Sequence, residues 1–205
     1  MKDELKKLVG ENEKIMYEGK PDFKCFLFES IFNPLLPIAI IWGIFDFGIL
    51  GFSIFTSEEK GFLFFIIPFM LLHLMPVWLY LGGVIFSIRK HKNTEYIVTD
   101  KAIYVSGGIF TRNFNTKPFA EMSHIDLHRG IFDQWFGVGD IICTSNQRAG
   151  EVTSSIMITS ISNYIETYNL IKKLQTDIYS DIMYPNDMRP AENHGYNTEY
   201  KGIDK

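Results

Sequence analysis

Charge is what the middle of this chain lacks. Residues 30–88 hold four formally charged side chains, Asp46, Glu58, Glu59 and Lys60, while the other 40 crowd into the remaining 146 positions of the 205. Thirteen of the 18 phenylalanines fall between Phe23 and Phe86. That split excludes both an ordinary water-soluble globule and a disordered chain, and leaves a membrane protein with a polar part. A basic excess is missing too: the net charge is −4, so no global field draws in nucleic acid. Cysteine is scarce. Cys25 and Cys143 are far apart and stand in no CxxC or Cys/His spacing, which argues against a zinc site or a disulfide framework.

The sequence carries no Gly-x-Ser-x-Gly elbow, zincin motif or Walker loop. Gly107-Gly108 is followed neither by a helix start nor by Lys-Ser/Thr, so it reads as a turn and not as a phosphate cradle. No two carboxylates are singled out as acid and base. The expectation is a protein that is not an enzyme, with no cofactor and no small-molecule substrate. The first 22 residues are polar, and the apolar run after them starts too late and runs too long for a cleaved leader.

Two runs are long enough to cross a bilayer: residues 31–55, interrupted by Asp46, and residues 61–88, 28 residues without a formal charge. About 20 apolar residues span a hydrocarbon core. The link at 56–60 is so short that the two helices must form an antiparallel hairpin. At ~1.5 Å per residue the second run would reach about 42 Å, so it tilts, kinks at Pro68 or Pro76, or leaves the bilayer near Trp78 and Tyr80. Pro34 and Pro37 lie near the start of the first run, where a missing N–H does little harm. One cation, Lys60, lies in the link. Lys14, Lys20 and Lys24 precede the hairpin, and Arg89, Lys90 and Lys92 follow it. This asymmetry predicts an inner-membrane, multi-pass protein with both termini cytoplasmic, where free thiols are the default. The alternative is a pair of buried core helices in a soluble protein, for which too little polar chain is left as wrapping. Inside the spans, Asp46 and His73 are candidates for function because ionisable groups there are costly. They fall at similar depth and could pair, either in an ion pathway or as a structural hydrogen bond; two helices alone do not enclose a pathway.

After residue 93 the texture changes. Residues 95–100 and 102–106 are β-rich with a turn between them, 115–122 and 123–129 read as two more strands, and 140–145 and 154–159 follow across a polar loop at 146–153. This pattern predicts a small antiparallel sheet or barrel. Tyr164, Tyr168, Ile171, Leu174, Ile178 and Ile182 then repeat at helical spacing, with Asn163 and Glu166 placed as in a capping box. They predict an amphipathic helix over 164–182 that covers the open side of the sheet. Residues 184–205 are polar and aperiodic, and read as a disordered tail. The divisions are therefore an amino-terminal segment 1–29, a hairpin 30–88, a folded module 93–183 and a tail.

Four stretches carry a resemblance: Glu95-Tyr-Ile-Val-Thr-Asp-Lys-Ala-Ile-Tyr-Val105, Gly107-Gly-Ile-Phe-Thr-Arg112, Lys117-Pro-Phe-Ala-Glu-Met-Ser-His-Ile125 and Phe132-Asp-Gln-Trp-Phe-Gly-Val-Gly-Asp-Ile141. In order and spacing they resemble the bacterial pleckstrin-homology-like (PH-like) domain, and residues 10–21 resemble the segment that precedes the membrane hairpin in many members. The chain departs from the pattern at Lys101-Ala102, where an Arg is common. The resemblance implies an α+β membrane protein: a two-helix hairpin, then a small β-barrel or sheet capped by a carboxy-terminal helix. It implies no activity.

Trp135 and Phe136 are read as structural core payload, with Gly137 and Gly139 permitting the tight turn beside them, and Trp135 is expected to share a core with helix 164–182. His124, Asp126 and His128 alternate along one strand and face one way. They are a weak metal candidate against the alternative of a polar outer face. Arg89, Lys90 and Lys92 are the candidates for contact with lipid headgroups. Residues 93–183 carry seven Lys/Arg against ten Asp/Glu, which argues against strong polyphosphoinositide binding. The reading is a membrane-anchored interaction module, a scaffold or subunit of an envelope complex, with membrane lipids and a protein partner or a second copy as its contacts. The alternatives are an anionic headgroup sensor or a small transport subunit.

Overall fold

The computed structural model describes residues 4–56, 60–145 and 155–183. The link at 57–59, the polar loop at 146–153 and the tail at 184–205 lie outside the described residues, as does the side chain of Ile182. The chain divides into two units: residues 1–26 with 90–205, and residues 27–89.

In the first unit the amino-terminal segment belongs to the sheet. Strand β1 (Ile15–Gly19) pairs antiparallel with β2 (Glu95–Thr99), with Tyr17 opposite Val98. β2 pairs with β3 (Ala102–Gly107), and β3 with β4 (Asn113–Pro118). A second antiparallel sheet orders β5 (Met122–His128), β6 (Gly139–Ser145) and β7 (Ser155–Ile161). β-Branched residues line these strands because they suit a pleated, half-buried surface. Between the sheets lies one core to which both contribute: Met16, Val98 and Ile103 from the first, and Ile141, Cys143 and Ile158 from the second. Phe119, in the single turn of 3₁₀-helix joining β4 to β5, is buried in it.

The carboxy-terminal helix, Tyr164–Met183, closes this core. Ile171 and Leu174 are fully buried in it, and Tyr164, Tyr168 and Ile178 pack around them, one stripe at helical spacing. β2 is buried on both faces. Its outer face is covered by Leu5 and Val9 from the polar-looking amino terminus, packed on Ile97, Ala102 and Tyr104. Glu13 fastens that cover, accepting hydrogen bonds from Thr99 Oγ1 at 2.7 Å and from the Tyr104 hydroxyl at 3.0 Å.

In the second unit the first apolar run is not continuous. Helix α1 (Phe23–Ile31), which begins in the first unit, ends before Asn33, and α2 runs over Leu35–Thr56. Asn33 starts α2 as an N-cap, its Oδ1 accepting the Leu35 N–H at 2.8 Å. The second run is likewise two helices, α3 (Lys60–His73) and α4 (Met75–Asn93), bent by 51° at Leu74. Pro68 sits inside α3 without breaking it, and the bend falls beside Pro76, near the start of α4, where its absent N–H is tolerated. Carbonyls near the bend find indole donors: Trp78 Nε1 donates to Leu71 O at 2.9 Å and Trp42 Nε1 to His73 O at 2.8 Å.

Among the described residues α2 is long and apolar enough to cross a membrane by itself, and the bent α3–α4 pair passes the same measure as one broken span. Its packing is inverted relative to a soluble core. α2 buries Ala39, Gly43, Asp46 and Ser53 on one side and leaves Ile41, Ile44, Phe45 and Phe52 exposed.

Candidate functional site

Within the first unit the described residues form a groove of about 660 Å³ beside β1, lined by Lys6, Tyr17, Lys20, Tyr96 and Asn163 among others. Its cations are already matched. Lys6 Nζ lies 2.7 Å from Glu18 and Lys20 Nζ lies 2.7 Å from Glu95, whose other oxygen is 3.3 Å from Arg112. Burial, with neighbouring Tyr96 second, pushes the Tyr17 phenol up to about 12. Burial also raises that of Tyr96, against hydrogen bonds with Thr159. Both phenols stay protonated at neutral pH and act as hydrogen-bond groups, not as bases. The groove therefore offers shape and polar contacts to a ligand without a surplus of positive charge for phosphate. Sequence reasoning missed Tyr17 because its strand, β1, is short and pairs with a strand far along the chain.

A second polar cluster sits where β5 passes into β6. The connection contains a short helix, α5 (Ile131–Phe136). The strand register sets His128 opposite Asp140, their Nδ1 and Oδ2 atoms 4.0 Å apart, and ligand-type atoms of His128, Asp133 and Asp140 lie within 4.8 Å of one another. This cluster replaces the expected triplet on β5: His124 and Asp126 are exposed on that strand but do not join His128 in it. The carboxylates have structural work. Asp133 is completely buried. Its Oδ2 accepts the Gly130 N–H at 2.7 Å, closing the first turn of α5, and its Oδ1 accepts the Cys25 thiol at 3.4 Å. Asp140 Oδ1 accepts the Ser160 N–H at 2.7 Å. Of the four carboxylate oxygens, three are therefore already accepting hydrogen bonds. The cluster holds α5, β6 and β7 in place, and a cation there would have to compete with those bonds.

The expectation for Trp135 is overturned. Trp135 is 72% exposed and Ile131 69% exposed, while Phe132 and Phe136 are half-buried. The reason is helical geometry. At about 100° per residue, positions two before and two after Asp133 lie on the side opposite it, so burying Asp133 turns Ile131 and Trp135 outward. Of the two glycines, Gly137 carries the turn, and Gly139 instead makes room for a neighbouring ring. Gly137 ends α5 in the left-handed region at φ 68°, and a Cβ on Gly139 would meet the Tyr164 ring at 2.9 Å.

In the second unit Asp46 and His73 are brought together: His73 Nδ1 and Asp46 Oδ1 are 2.8 Å apart, and Asp46 is 1% exposed. The His73 ring stacks with those of Trp42 and Phe69, at 5.2 and 5.5 Å. The pair joins α2 to the end of α3 beside the bend. Asp46 Oδ2, also buried, has no hydrogen-bond partner. Of the expected headgroup residues, Arg89, Lys90 and Lys92 are all exposed near the end of α4, with Lys90 Nζ 5.8 Å from the centre of the Phe26 ring.

No curated protein and no solved structure matches the chain significantly. The family description "Bacterial PH domain" matches residues 38–175, which takes in α2 through most of the carboxy-terminal helix. With two antiparallel sheets closed by that helix, and a match over more than half its length, the chain belongs to the bacterial PH domain family.

Proposed function

We propose that the protein is a membrane-anchored, non-enzymatic interaction module, held in the inner membrane by two spans with both termini cytoplasmic, that serves as a scaffold or subunit of an envelope protein complex. The observation that carries this reading is the inverted packing of α2. Small and polar residues, Ala39, Gly43, Asp46 and Ser53, face its neighbours while large apolar ones face outward. Helices associate this way in lipid, where close approach and hydrogen bonds do the work that apolar burial does in water. The outward surface would be insoluble without a bilayer around it. The bend at Leu74 fits a broken second span whose carbonyls are satisfied by Trp42 and Trp78.

The groove beside β1 is the feature of the PH-like unit best shaped to take a partner's chain. Its ion-paired lysines favour a polypeptide over a polyphosphorylated headgroup, and the acidic excess of residues 93–183 points the same way. The Asp46–His73 contact reads as a structural hydrogen bond inside the hairpin, and gives a transport role little support.

The test is a photo-crosslinking residue placed at Lys20 in the full chain in intact cells. The reading expects a discrete protein adduct that resists alkaline extraction from membranes. Adducts to lipid alone would favour the headgroup-sensor alternative, and release of the chain at alkaline pH would contradict the anchoring.

A further inference from the structure

We infer that helix α5 is a membrane-surface foot: Ile131 and Trp135 insert at the headgroup level of an anionic bilayer, the one that also holds the apolar helices. Observations within the first unit lead there. Ile131 and Trp135 stand one helical turn apart on the same exposed face, and Trp135 packs edge-on against Phe132 at 5.6 Å. The aromatic face is therefore ordered in an outward position.

Helix α5 lies at the end of the unit from which the chain departs. The unit passes into the apolar segment at Phe26 and returns from it at Lys90. Cys25, one residue before the departure, hydrogen-bonds Asp133 on the inner side of α5. His91, one residue after the return, donates from Nε2 to Pro21 O at 2.8 Å, and its ring meets those of Phe23 and Phe26 at 5.1 and 5.6 Å. Both connections and α5 are thus tied together.

The occupant follows from the chemistry of this end. Phe23 is 44% exposed, and Lys24, Lys90 and Lys92 are exposed around the two connections. An indole prefers the interface between water and acyl chains, and lysines beside it are drawn to anionic headgroups. A helix this short sinks only its two outward side chains, which is the shallow mode of an interfacial segment. The contact would fix the orientation of the PH-like unit on the membrane, leaving the groove beside β1 to a partner. The inference rests on the membrane-anchored reading and goes beyond it.

The experiment uses the full chain in vesicles of phosphatidylcholine and phosphatidylglycerol. A bimane label is attached through Gln134→Cys, an exposed position on α5, and in a separate preparation through Ile44→Cys on α2. Both native cysteines are buried, so labelling is selective. Lipids brominated in the upper acyl chain should cut emission from position 134 about twofold, as expected for a segment lying 5–10 Å into the boundary. Adding Ile131→Asp and Trp135→Asp should abolish that quenching and leave quenching at position 44 unchanged. Quenching at position 44 without any at position 134 overturns the foot and leaves the anchored reading intact. A label at 134 that is unquenched by lipid yet shielded from aqueous iodide overturns it in favour of a protein contact. Loss of quenching at both positions overturns the anchored reading and the foot with it.

Discussion

The two units of this chain solve the burial problem in opposite ways. The PH-like unit buries Ile141, Ile158, Ile171 and Leu174 and holds Lys and Glu at its surface. The apolar unit buries Ala39, Gly43, Asp46 and Ser53 and holds Phe and Ile at its surface. On the membrane-anchored reading, one chain follows the rule for water and then the rule for lipid. The change falls where α1 and α4 join the two units, at Phe26 and Lys90. The lesson is that exposure of large apolar residues has no meaning until the solvent is known.

The comparison is broken most forcefully in the water-type core. Phe119→Ala should cost about 3–5 kcal/mol, because it removes a fully buried aromatic that both sheets share. The exposed Trp135→Ala should change stability by no more than about 0.5 kcal/mol. Thermal unfolding of the PH-like unit in the detergent-solubilised chain measures both, and a larger loss for Trp135 would contradict the burial pattern. Extraction behaviour of the apolar unit should be the same in both variants.

Gly139→Ala comes next. Its new methyl would meet Tyr164 at 2.9 Å and push the closing helix off β6, at a cost of roughly 1–3 kcal/mol. In the lipid-type unit the coupling is weaker. A double-mutant cycle on Asp46→Ala and His73→Ala should give an interaction of about 1 kcal/mol, in the range found for hydrogen bonds between membrane helices. Additive effects would mean that the 2.8 Å contact does not join α2 to α3 in the bilayer.

The smallest effect concerns Asp140. Burial raises its pKa, the Ser160 N–H opposes the shift, Asp133 adds to it, and His128 opposes it. The folded state then holds the proton more tightly than the unfolded one. Its favourable contribution is complete in acid, below the ordinary aspartate range near pH ~4, and is lost as pH rises through the raised folded value. Asp140→Asn keeps the Ser160 hydrogen bond without the charge. Its Tm should therefore lie slightly above wild type at pH 7, and the gain should vanish in acid. A gain that grows on acidification would show that the shift has the opposite sign.

Some of this could be read from the sequence, and the reasons differ by element. The apolar runs announce themselves by absence of charge, and the carboxy-terminal helix by the spacing of Tyr164, Tyr168, Ile171 and Leu174. β2 and β3 follow from β-branched runs around a turn, and Gly137 from its place after an aromatic turn. β1 did not declare itself, because Tyr17 meets its partner Val98 across the whole apolar segment and stands in a segment that reads as polar. The bend at Leu74 was legible only as one option, a kink at Pro76, because hydropathy does not report a break inside an apolar run. The site was less legible than the fold. A tryptophan in a small domain defaults to the core, and an aspartate to the surface; at α5 the two are exchanged, because Asp133 caps its own helix and receives Cys25 from a distant segment. Only the folded chain brings that thiol near.

The central claim, that the chain crosses the membrane twice with its PH-like unit on the cytoplasmic side, is tested most directly by a membrane-impermeant maleimide on intact cells. Ser57→Cys in the link and Asn193→Cys near the carboxy terminus supply the two reporters, against native cysteines that are buried. Burial also pushes the Cys143 thiol up to about 12, which keeps it unreactive. The account predicts that the link reporter is modified from outside and that the carboxy-terminal reporter reacts only after the cells are opened. Modification of the carboxy-terminal reporter in intact cells would contradict it.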